Sequence, residues 1–344
     1  MKKSDKKLLL IVMFVFGDQY QEYIPLQFYS LYKNYPEYDA VVYVDRSISA
    51  KIKKTLMSIP GYGEKYQIIR ANIRPSEISS QMMKAYRWLI HYSIFDQYEY
   101  IYIGDIDIFI CKEQLPLHEQ HIKHMNAQKL CYSNVIRPCK EPDILSTHKK
   151  QLEKMGIYHS ALALYNQFIL PKRFSGLHFV KTDTYYPAIK KWQKRYYSIY
   201  LGQGPINKFV CWRSRWKYSL HSRNEALLYH IIKKSKLTLP KQVQNADDLM
   251  LCHDPYSHSF RPMHGIHFGT WRDRNQRTYW RQHFLDKDPY LSFFRQFKKL
   301  YDTDPLLQYI IKRSSAEMLR IISNMMTDFE YVIGHMEPAG NRNG

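Results

Sequence analysis

The chain has 344 residues, 45% of them hydrophobic, with 51 Lys and Arg residues against 31 Asp and Glu residues. This length and apolar content predict one large α/β domain, or one domain with an appendage, and exclude an intrinsically disordered chain. The formal net charge of +20 indicates an anionic partner. The alternative is that the basic residues only make the protein surface soluble. No RNP, helix-turn-helix or zinc-finger pattern occurs, so we expect an acidic membrane surface or a phosphorylated substrate and no nucleic acid.

The N-terminal segment, the apolar runs and the cysteines indicate in which compartment we expect the protein. The opening segment MKKSDKKLLLIVMFVF is basic and then apolar, as in a signal peptide, but no small-residue cleavage site follows, and we expect a buried strand there. No apolar run approaches the roughly 20 residues of a membrane-spanning helix. The five cysteines show no CxxC spacing, which disfavours disulfide frameworks and structural zinc. A reducing cytoplasm fits this pattern.

Strands and helices alternate in the first third of the chain. The patterns predict buried strands at 7–16, 39–45, 66–73 and 98–111, and helices at 23–32, 47–58 and 79–95. Such alternation is typical of βαβ units and a mostly parallel sheet. Ligands of such sheets bind beyond the carboxyl ends of the strands.

The remainder of the chain is predicted to contain both strands and helices, followed by a helical region. We predict a solvated helix face at His118, His121 and His124, a strand at 174–185, helices at 185–200 and 224–234, and a short strand-like stretch at 263–271. A helical region at 290–333 is interrupted at 302–305, and the tail is expected to be mobile. The predicted organisation is a catalytic unit at 1–285, with halves at 1–112 and 113–285, a basic helical extension at 286–334 and a flexible tail at 335–344.

Two carboxylates, Asp105 and Asp107, interrupt the apolar run YEYIYIGDIDIFIC at 98–111. A buried carboxylate is costly unless it is paired or binds a metal, and hard oxygen donors suit Mg²⁺ or Mn²⁺. The alternative is a strand end with two solvated aspartates. Asp18 and Asp45 also follow predicted strands, so a parallel sheet would gather all four carboxylates at one edge. This arrangement favours a metal site.

These residues resemble the GT-A-type nucleotide-sugar glycosyltransferases, and most closely glycosyltransferase family 8, which includes glycogenins and bacterial lipooligosaccharide galactosyltransferases. The resemblance spans 7–273 and rests on an ordered series of short motifs: Phe16-Gly17-Asp18, Tyr86-Arg87-Trp88-Leu89, the Asp-x-Asp (DXD) strand, Ser175-Gly176-Leu177, Asn224-Glu225 and His264-Gly-Ile-His267-Phe-Gly269. Thr270-Trp271-Arg272 stands where the family has Lys-Pro-Trp. The implied fold is a GT-A-type, Rossmann-like mixed α/β sheet flanked by helices.

The resemblance also implies a set of site residues. Asp105 and Asp107 would bind Mn²⁺ or Mg²⁺ together with a late histidine, either His267 or His264, and each histidine could instead belong to the core. The donor nucleotide sugar would be bound by eight residues: Phe16, Gly17, Asp18, Asp45, Arg87, Asp105, Ser175 and Gly176. For Arg87 the alternative is a surface ion pair, and for Asp18 and Asp45 it is a turn or helix-cap role.

The catalytic candidates are Glu225 and Asn224. A retaining transferase needs a polar group below the anomeric carbon, and an inverting one needs a carboxylate base such as Glu225. The alternative for Glu225 is a favourable acid in the first turn of a helix. The expected activity is metal-dependent transfer of a sugar from a nucleoside diphosphate, preferably UDP, to a glycan or lipid-linked acceptor in bacterial surface polysaccharide, with retention. An inactive sugar-binding protein is the rival from another class, and a haloacid-dehalogenase-type phosphotransferase fits less well because its Asp-x-Asp follows the first strand.

The segments FFRQFKKLY and IIKRSSAEMLRII place aromatic and basic residues on the C-terminal helices. Such helices can lie on an anionic membrane surface, which would bring the protein to a lipid-linked acceptor at the inner face of the membrane. A helical lid or a homodimer contact is the alternative.

Overall fold

In a computed structural model of the protein, the described residues are 6–71, 80–137, 153, 155–156, 172–201, 224–244 and 246–336. Ten strands are assigned among them: β1 Lys7–Val15, β2 Asp39–Val44, β3 Tyr66–Arg70, β4 Tyr98–Gly104, β5 Ile108–Ile110, β6 Tyr132–Ser133, β7 Ile136–Arg137, β8 Arg173–Phe174, β9 His178–Lys181 and β10 Gly265–His267. The predicted mobile tail lies mostly outside the described residues.

The same ranges contain twelve α-helices: α1 Asp18–Gln21, α2 Ile24–Asn34, α3 Ala50–Leu56, α4 Ser80–Leu89, α5 Leu117–Gln128, α6 Thr182–Leu201, α7 Asn224–Lys234, α8 Ala246–Leu251, α9 Arg274–His283, α10 Tyr290–Thr303, α11 Pro305–Lys312 and α12 Ala316–Met336. Two 3₁₀-helices, Ser93–Gln97 and Phe268–Trp271, precede β4 and follow β10.

The main sheet has six strands in the order β3-β2-β1-β4-β9-β6. The first four are parallel, whereas β9 runs antiparallel to β4 and to β6. The strand order reverses between β1 and β4, and such a switch point opens a crevice at the carboxyl ends of the two strands. The predicted mixed α/β sheet with flanking helices is confirmed.

Alternating side chains of β1 enter two different cores, as the two-residue period of a strand requires. Leu9, Ile11 and Met13 pack on the face covered by α2 and the C-terminal helices. Leu10 and Val12 pack on the face covered by α4, α6 and α7. Both faces of β1 are therefore buried, which explains its continuous apolar sequence.

The C-terminal helices pack into the first of these cores. Phe293, Phe294 and Phe297 of α10 are at most 1% exposed. The helical region breaks at Asp304, whose carboxylate accepts hydrogen bonds from the backbone N–H groups of Leu306 (2.9 Å) and Leu307 (3.1 Å) and so caps α11. Among the described helices, none combines the length and apolar character needed to cross a bilayer.

Several predicted boundaries are wrong for tertiary reasons. The predicted strand at 98–111 is divided into β4 and β5, which belong to different sheets. The helix predicted at 79–95 ends at Leu89, because Tyr92 leaves the helix to stack on Tyr43 with ring centroids 4.0 Å apart. The strand predicted at 174–185 ends at Lys181, where the Thr182 hydroxyl bonds to the Glu99 carbonyl oxygen (2.9 Å) at the start of α6.

The predicted solvated histidine face of α5 is also wrong. His121 and His124 are fully buried, and each Nδ1 lies 2.8 Å from the Ser133 hydroxyl. These histidines face the sheet because they find polar partners there.

Candidate active site at the switch point

The two aspartates occupy the short connection between β4 and β5. β4 leaves its pairing with β1 at Gly104, and β5 then pairs antiparallel with β10. The backbone of the connection is held by Phe268, whose N–H donates to the Asp107 carbonyl oxygen at 2.8 Å. The Asp107 side chain is 11% exposed and the Asp105 side chain 37% exposed. The two carboxylates therefore have different surroundings despite their spacing.

Asp107 and His267 form a pair. The Oδ1 atom of Asp107 lies 3.3 Å from Nε2 of His267, the last residue of β10. Gly269 leaves this space open, since a Cβ there would lie 2.8 Å from Asp107 Oδ2 and 3.1 Å from His267 Cε1. A carboxylate and an imidazole so close together are a donor set that suits Mn²⁺ or a similar divalent ion.

Asp107 and His267 each shift the pKa of the other. Burial opposes ionisation of Asp107, but the adjacent His267 and, to a smaller extent, Arg272 lower the pKa of its carboxyl group. Burial likewise opposes protonation of His267, but the Asp107 carboxylate raises the pKa of the imidazole. The carboxylate and the imidazole therefore stabilise each other's charged forms.

Arg272 is the cation on the other side of Asp107. Its Nε donates to the Tyr23 hydroxyl (2.8 Å) and its Nη1 to the Tyr20 hydroxyl (3.2 Å), and the guanidinium lies over both rings. Its Nη2 lies 3.9 Å from Asp107 Oδ2 and has no hydrogen-bond partner among the described residues. Arg272 thus has an unpaired N–H donor, at Nη2, beside the candidate metal ligand Asp107.

Asp105 is bound by a different arginine. Arg87, near the end of α4, donates from Nη1 to Asp105 Oδ1 at 2.6 Å. A Cβ at Gly176 would lie 3.0 Å from Arg87 Nη2 and 3.5 Å from both Asp105 Oδ2 and Glu225 Oε1. The predicted residues Arg87, Asp105, Gly176 and Glu225 are therefore brought together around one small gap.

Glu225, in the first turn of α7, faces two arginines. Its Oε2 accepts a hydrogen bond from Arg173 Nη1 at 3.0 Å, and its Oε1 lies 3.6 Å from Arg137 Nη1. Its side chain is 15% exposed. Asn224 begins the same helix, and its side chain lies outside the described structure.

The nucleotide candidates lie at the ends of β1 and β2. Asp45 is buried, and its carboxylate accepts from the Gly17 N–H (3.1 Å) and from Arg46 Nη2 (2.9 Å). Gly17 has a φ of 83°, a conformation that favours glycine. The Asp18 side chain is 79% exposed and lies 3.6 Å from Arg46 Nη1. Phe16 packs edge-on against Tyr86.

Ser175 supports the backbone beside Gly176. Its N–H donates to Asn134 Oδ1 at 2.9 Å, and its carbonyl oxygen accepts from Asn134 Nδ2 at 3.2 Å. It is 6% exposed.

His264 lies away from the aspartates, in a buried histidine chain formed by Glu113, His264, His121, Ser133 and His124. His264 Nδ1 is 2.5 Å from Glu113 Oε2, and its Nε2 is 3.0 Å from His121 Nε2. Because an ionised carboxylate only accepts, His264 donates from Nδ1, so its Nε2 accepts from His121. Both ring nitrogens of His264 are thus occupied, and His267 is the histidine that geometry joins to Asp107.

Because several histidines are buried, we expect the folded protein to lose stability in acid. Burial lowers the pKa of His124 to about 4 and that of His178 to about 3, compared with about 6.5 in an unfolded chain. Below pH 6.5 the unfolded state therefore binds more protons, and the free energy of unfolding falls by up to about 1.4 kcal/mol per pH unit for each histidine, until the folded pKa is reached. We expect thermal unfolding to show a steep loss of Tm between pH 7 and pH 5.

The control for this prediction is an exposed histidine. His124→Asn should reduce the pH dependence of Tm, whereas His335→Gln should leave it unchanged, since His335 is exposed on α12. A Tm that does not change between pH 7 and pH 5 would contradict the prediction.

The sequence patterns did not single out four arginines and one glutamate that make polar contacts in the structure. Arg137 and Arg173 were ordinary members of a basic sequence, and Glu113 and Arg46 followed predicted strands without a motif. Only Arg272 carried a signal, as the cation after the late histidine-glycine stretch.

Among the described residues no cluster of three or more His, Cys, Asp or Glu side chains has metal-binding geometry. A metal ion at Asp107 and His267 would therefore need ligands from a substrate, as Mg²⁺ often does with phosphates.

Comparison with known proteins gives weak likenesses. No protein-family model matches the sequence, and no curated protein matches it. Among solved structures, the chain is similar to the mannosyltransferase Ktr4p from S. cerevisiae in complex with GDP (12% identity, TM-score 0.40, 67% of this chain and 69% of that one). It is also similar to the galactosyltransferase LgtC in complex with donor and acceptor sugar analogues (14% identity, TM-score 0.34, 64% and 69%). A third is core-mannan synthase A from Aspergillus fumigatus in an Mn/GDP form (11% identity, TM-score 0.35, 65% and 69%). No functional conclusion rests on likenesses this distant.

Proposed function

We propose that this chain is a metal-dependent glycosyltransferase that moves a sugar from a nucleoside diphosphate, preferably UDP, to a glycan or lipid-linked acceptor. The observation that carries the proposal is the Asp107–His267 pair, 3.3 Å apart at the switch point of the sheet, with Asp105 two residues away. The Asp107 carboxylate and the His267 imidazole at this edge fit a divalent cation that takes its other ligands from phosphate oxygens. The class of acceptor we propose is a bacterial surface polysaccharide such as lipopolysaccharide or capsule.

Each group at the switch point has a role in this proposal. Asp107 and His267 hold Mn²⁺ or Mg²⁺, which supplies Lewis-acid neutralisation of the leaving diphosphate. Asp105, fixed by Arg87, faces the donor sugar or ribose. Arg272 directs its unpartnered Nη2 towards the charge that develops on the leaving group, where a preorganised donor is most effective.

Glu225 has its two oxygens directed at Arg173 and Arg137. We propose that it orients these arginines and presents a polar surface below the donor sugar, together with Asn224, in a reaction with retention. The inverting alternative requires Glu225 to release one oxygen to the acceptor hydroxyl as a base. The anomeric configuration of the product, read by NMR, separates the two reactions.

At the ends of β1 and β2, Asp45, Gly17 and Asp18 are proposed to bind the nucleoside, next to Phe16. The buried Asp45 is already held by the Gly17 N–H, so Asp45 shapes the loop, whereas the exposed Asp18 is open to a ligand. Ser175 and Gly176 provide the close wall beside the donor.

Contact with an anionic membrane surface would be electrostatic. The phenylalanines of α10 are buried, whereas Lys299, Lys312 and Arg320 of the C-terminal helices are exposed. We propose that these cations, and not inserted aromatic side chains, bring the protein to a lipid-linked acceptor at the inner face of the membrane. A homodimer through the same helices is the alternative.

The proposed activity is tested with a panel of nucleoside diphosphates and their sugars, with and without Mn²⁺. We expect one nucleotide to raise Tm only when Mn²⁺ is present, and its sugar conjugate to be hydrolysed slowly without acceptor. Mn²⁺-dependent binding without any hydrolysis or transfer would favour an inactive sugar-nucleotide-binding protein. No binding of any nucleotide would refute the proposal.

A further inference from the structure

A second cleft lies along α6, apart from the switch point. It has a volume of about 800 Å³, within the range of ligand-binding pockets. One wall is a single face of α6 and the other is the chain between α4 and β4. The lining residues that matter below are His91, Asp96, Tyr186, Lys190, Lys194 and Tyr197.

The charges of this α6 cleft balance. Lys190 and Lys194, one helical turn apart, are equal in number to the cleft carboxylates Asp96 and Asp183, and Asp183 also forms an ion pair with Lys6, which lies outside the lining. Neither lysine has a carboxylate within ion-pair distance in the described part of the chain, whereas Asp96 lies 3.1 Å from His91 Nε2. A site built for an anion would show an excess of cations. The lining of the α6 cleft shows no such excess, and its two lysines are open to the hydroxyl groups of a neutral ligand.

Aromatic rings complete the lining. Tyr197 is 37% exposed and lines the cleft, so its ring surface is open to a ligand. Tyr186 is 6% exposed, and its ring lies 4.5 Å from that of His91. Its hydroxyl is buried and has no hydrogen-bond partner among the described residues. Rings bordered by amines, carboxylates and hydroxyls suit a molecule that alternates C–H faces with hydroxyl groups.

The α6 cleft and the switch point share α4. Leu89 lines the cleft two residues after Arg87, which holds Asp105. Gln193, also in the cleft, donates from Nε2 to the Trp88 carbonyl oxygen at 3.2 Å. One end of the α6 cleft therefore reaches the turn of α4 that carries a donor-site arginine.

We propose that the α6 cleft is a carbohydrate subsite that binds a neutral oligosaccharide stretch of the acceptor glycan, away from the sugar that reacts. This inference rests on the proposed glycosyltransferase function. Tyr197 would stack on a sugar ring, and Lys190, Lys194 and Asp96 would bind its hydroxyl groups. An acceptor held at two places would be oriented without any further contact near the metal.

The proposal is tested by ligand-observed NMR with neutral hexasaccharides of glucose, galactose, mannose and N-acetylglucosamine, and with inorganic phosphate. We expect at least one hexasaccharide to bind and Tyr197→Ala to weaken its binding by about tenfold or more, as does the double change Lys190→Ala with Lys194→Ala. Tyr256→Ala and Lys191→Ala are matched controls, since Tyr256 is 62% exposed and Lys191 is an exposed residue of α6, and neither lines the cleft.

A parallel titration with UDP and Mn²⁺ separates this proposal from the proposed function. The cleft variants should bind UDP and Mn²⁺ as the wild type does. If nucleotide binds but none of the hexasaccharides does, or if their binding is indifferent to the cleft variants, the subsite is refuted and the proposed function stands. Phosphate binding that is lost with the two lysines would likewise overturn the assignment of a neutral ligand. Hexasaccharide binding without nucleotide binding would refute the transferase and leave a glycan-binding cleft.

Discussion

Asp107→Asn is expected to reduce Mn²⁺-dependent hydrolysis of the nucleotide-sugar donor by more than about a hundredfold. Loss of a residue that only supports a metal ligand costs about 10–100-fold, and loss of the ligand itself should cost more. Asp107 is the carboxylate that lies 3.3 Å from His267 Nε2, so the substitution removes a charge from the metal position while preserving shape. The measurement is donor hydrolysis over a range of Mn²⁺ concentrations.

Three further variants make this result specific. Gly269→Ala keeps both candidate ligands but places a Cβ 2.8 Å from Asp107 Oδ2, so it should weaken Mn²⁺ binding without removing a donor atom. Gly334→Ala, where a Cβ meets nothing within 4 Å, and Asp286→Asn at an exposed carboxylate should be silent. Wild-type hydrolysis by Asp107→Asn would rule out its role as a metal ligand.

Glu113→Gln is expected to lower the free energy of unfolding by about 3–5 kcal/mol, the usual cost of removing one partner of a buried ion pair. Arg261 is 1% exposed, and its Nη2 lies 2.5 Å from Glu113 Oε1. Burial opposes ionisation of Glu113, but Arg261 and His264 lower the pKa of its carboxyl group to about 2. Without this charge, Arg261 and His264 would remain buried beside a neutral amide. Urea unfolding at pH 7 measures the loss.

The matched control is an ion pair on the surface. Lys298 and Asp302 are 2.6 Å apart on successive turns of α10, with side chains 35% and 46% exposed. Asp302→Asn should therefore cost less than about 0.5 kcal/mol. Equal losses in the two variants would show that burial of the Glu113–Arg261 pair has no special effect on stability.

The sequence by itself determined the α/β class and predicted a candidate site. Apolar runs predicted β1, β2 and β3, and the Asp-x-Asp stretch placed two carboxylates at a strand end. Helix α7 was predicted with its observed bounds, because Asn224 and Glu225 begin an apolar-periodic segment and two lysines end it. These features are local, so neighbouring residues suffice to specify them.

Only the tertiary structure decided which residues share a contact. His264 and His267 have equivalent sequence signals, but β10 pairs with β5 in a register that places His267 opposite Ile108 and beside Asp107. Arg87, Gly176 and Glu225 meet because α7 packs against both α4 and β8, at sequence separations that no periodicity reports. His121 and His124 share the Ser133 hydroxyl as a buried partner, and His121 also contacts the remote His264. Side-chain partners depend on register and packing between remote segments, and a local pattern does not encode them.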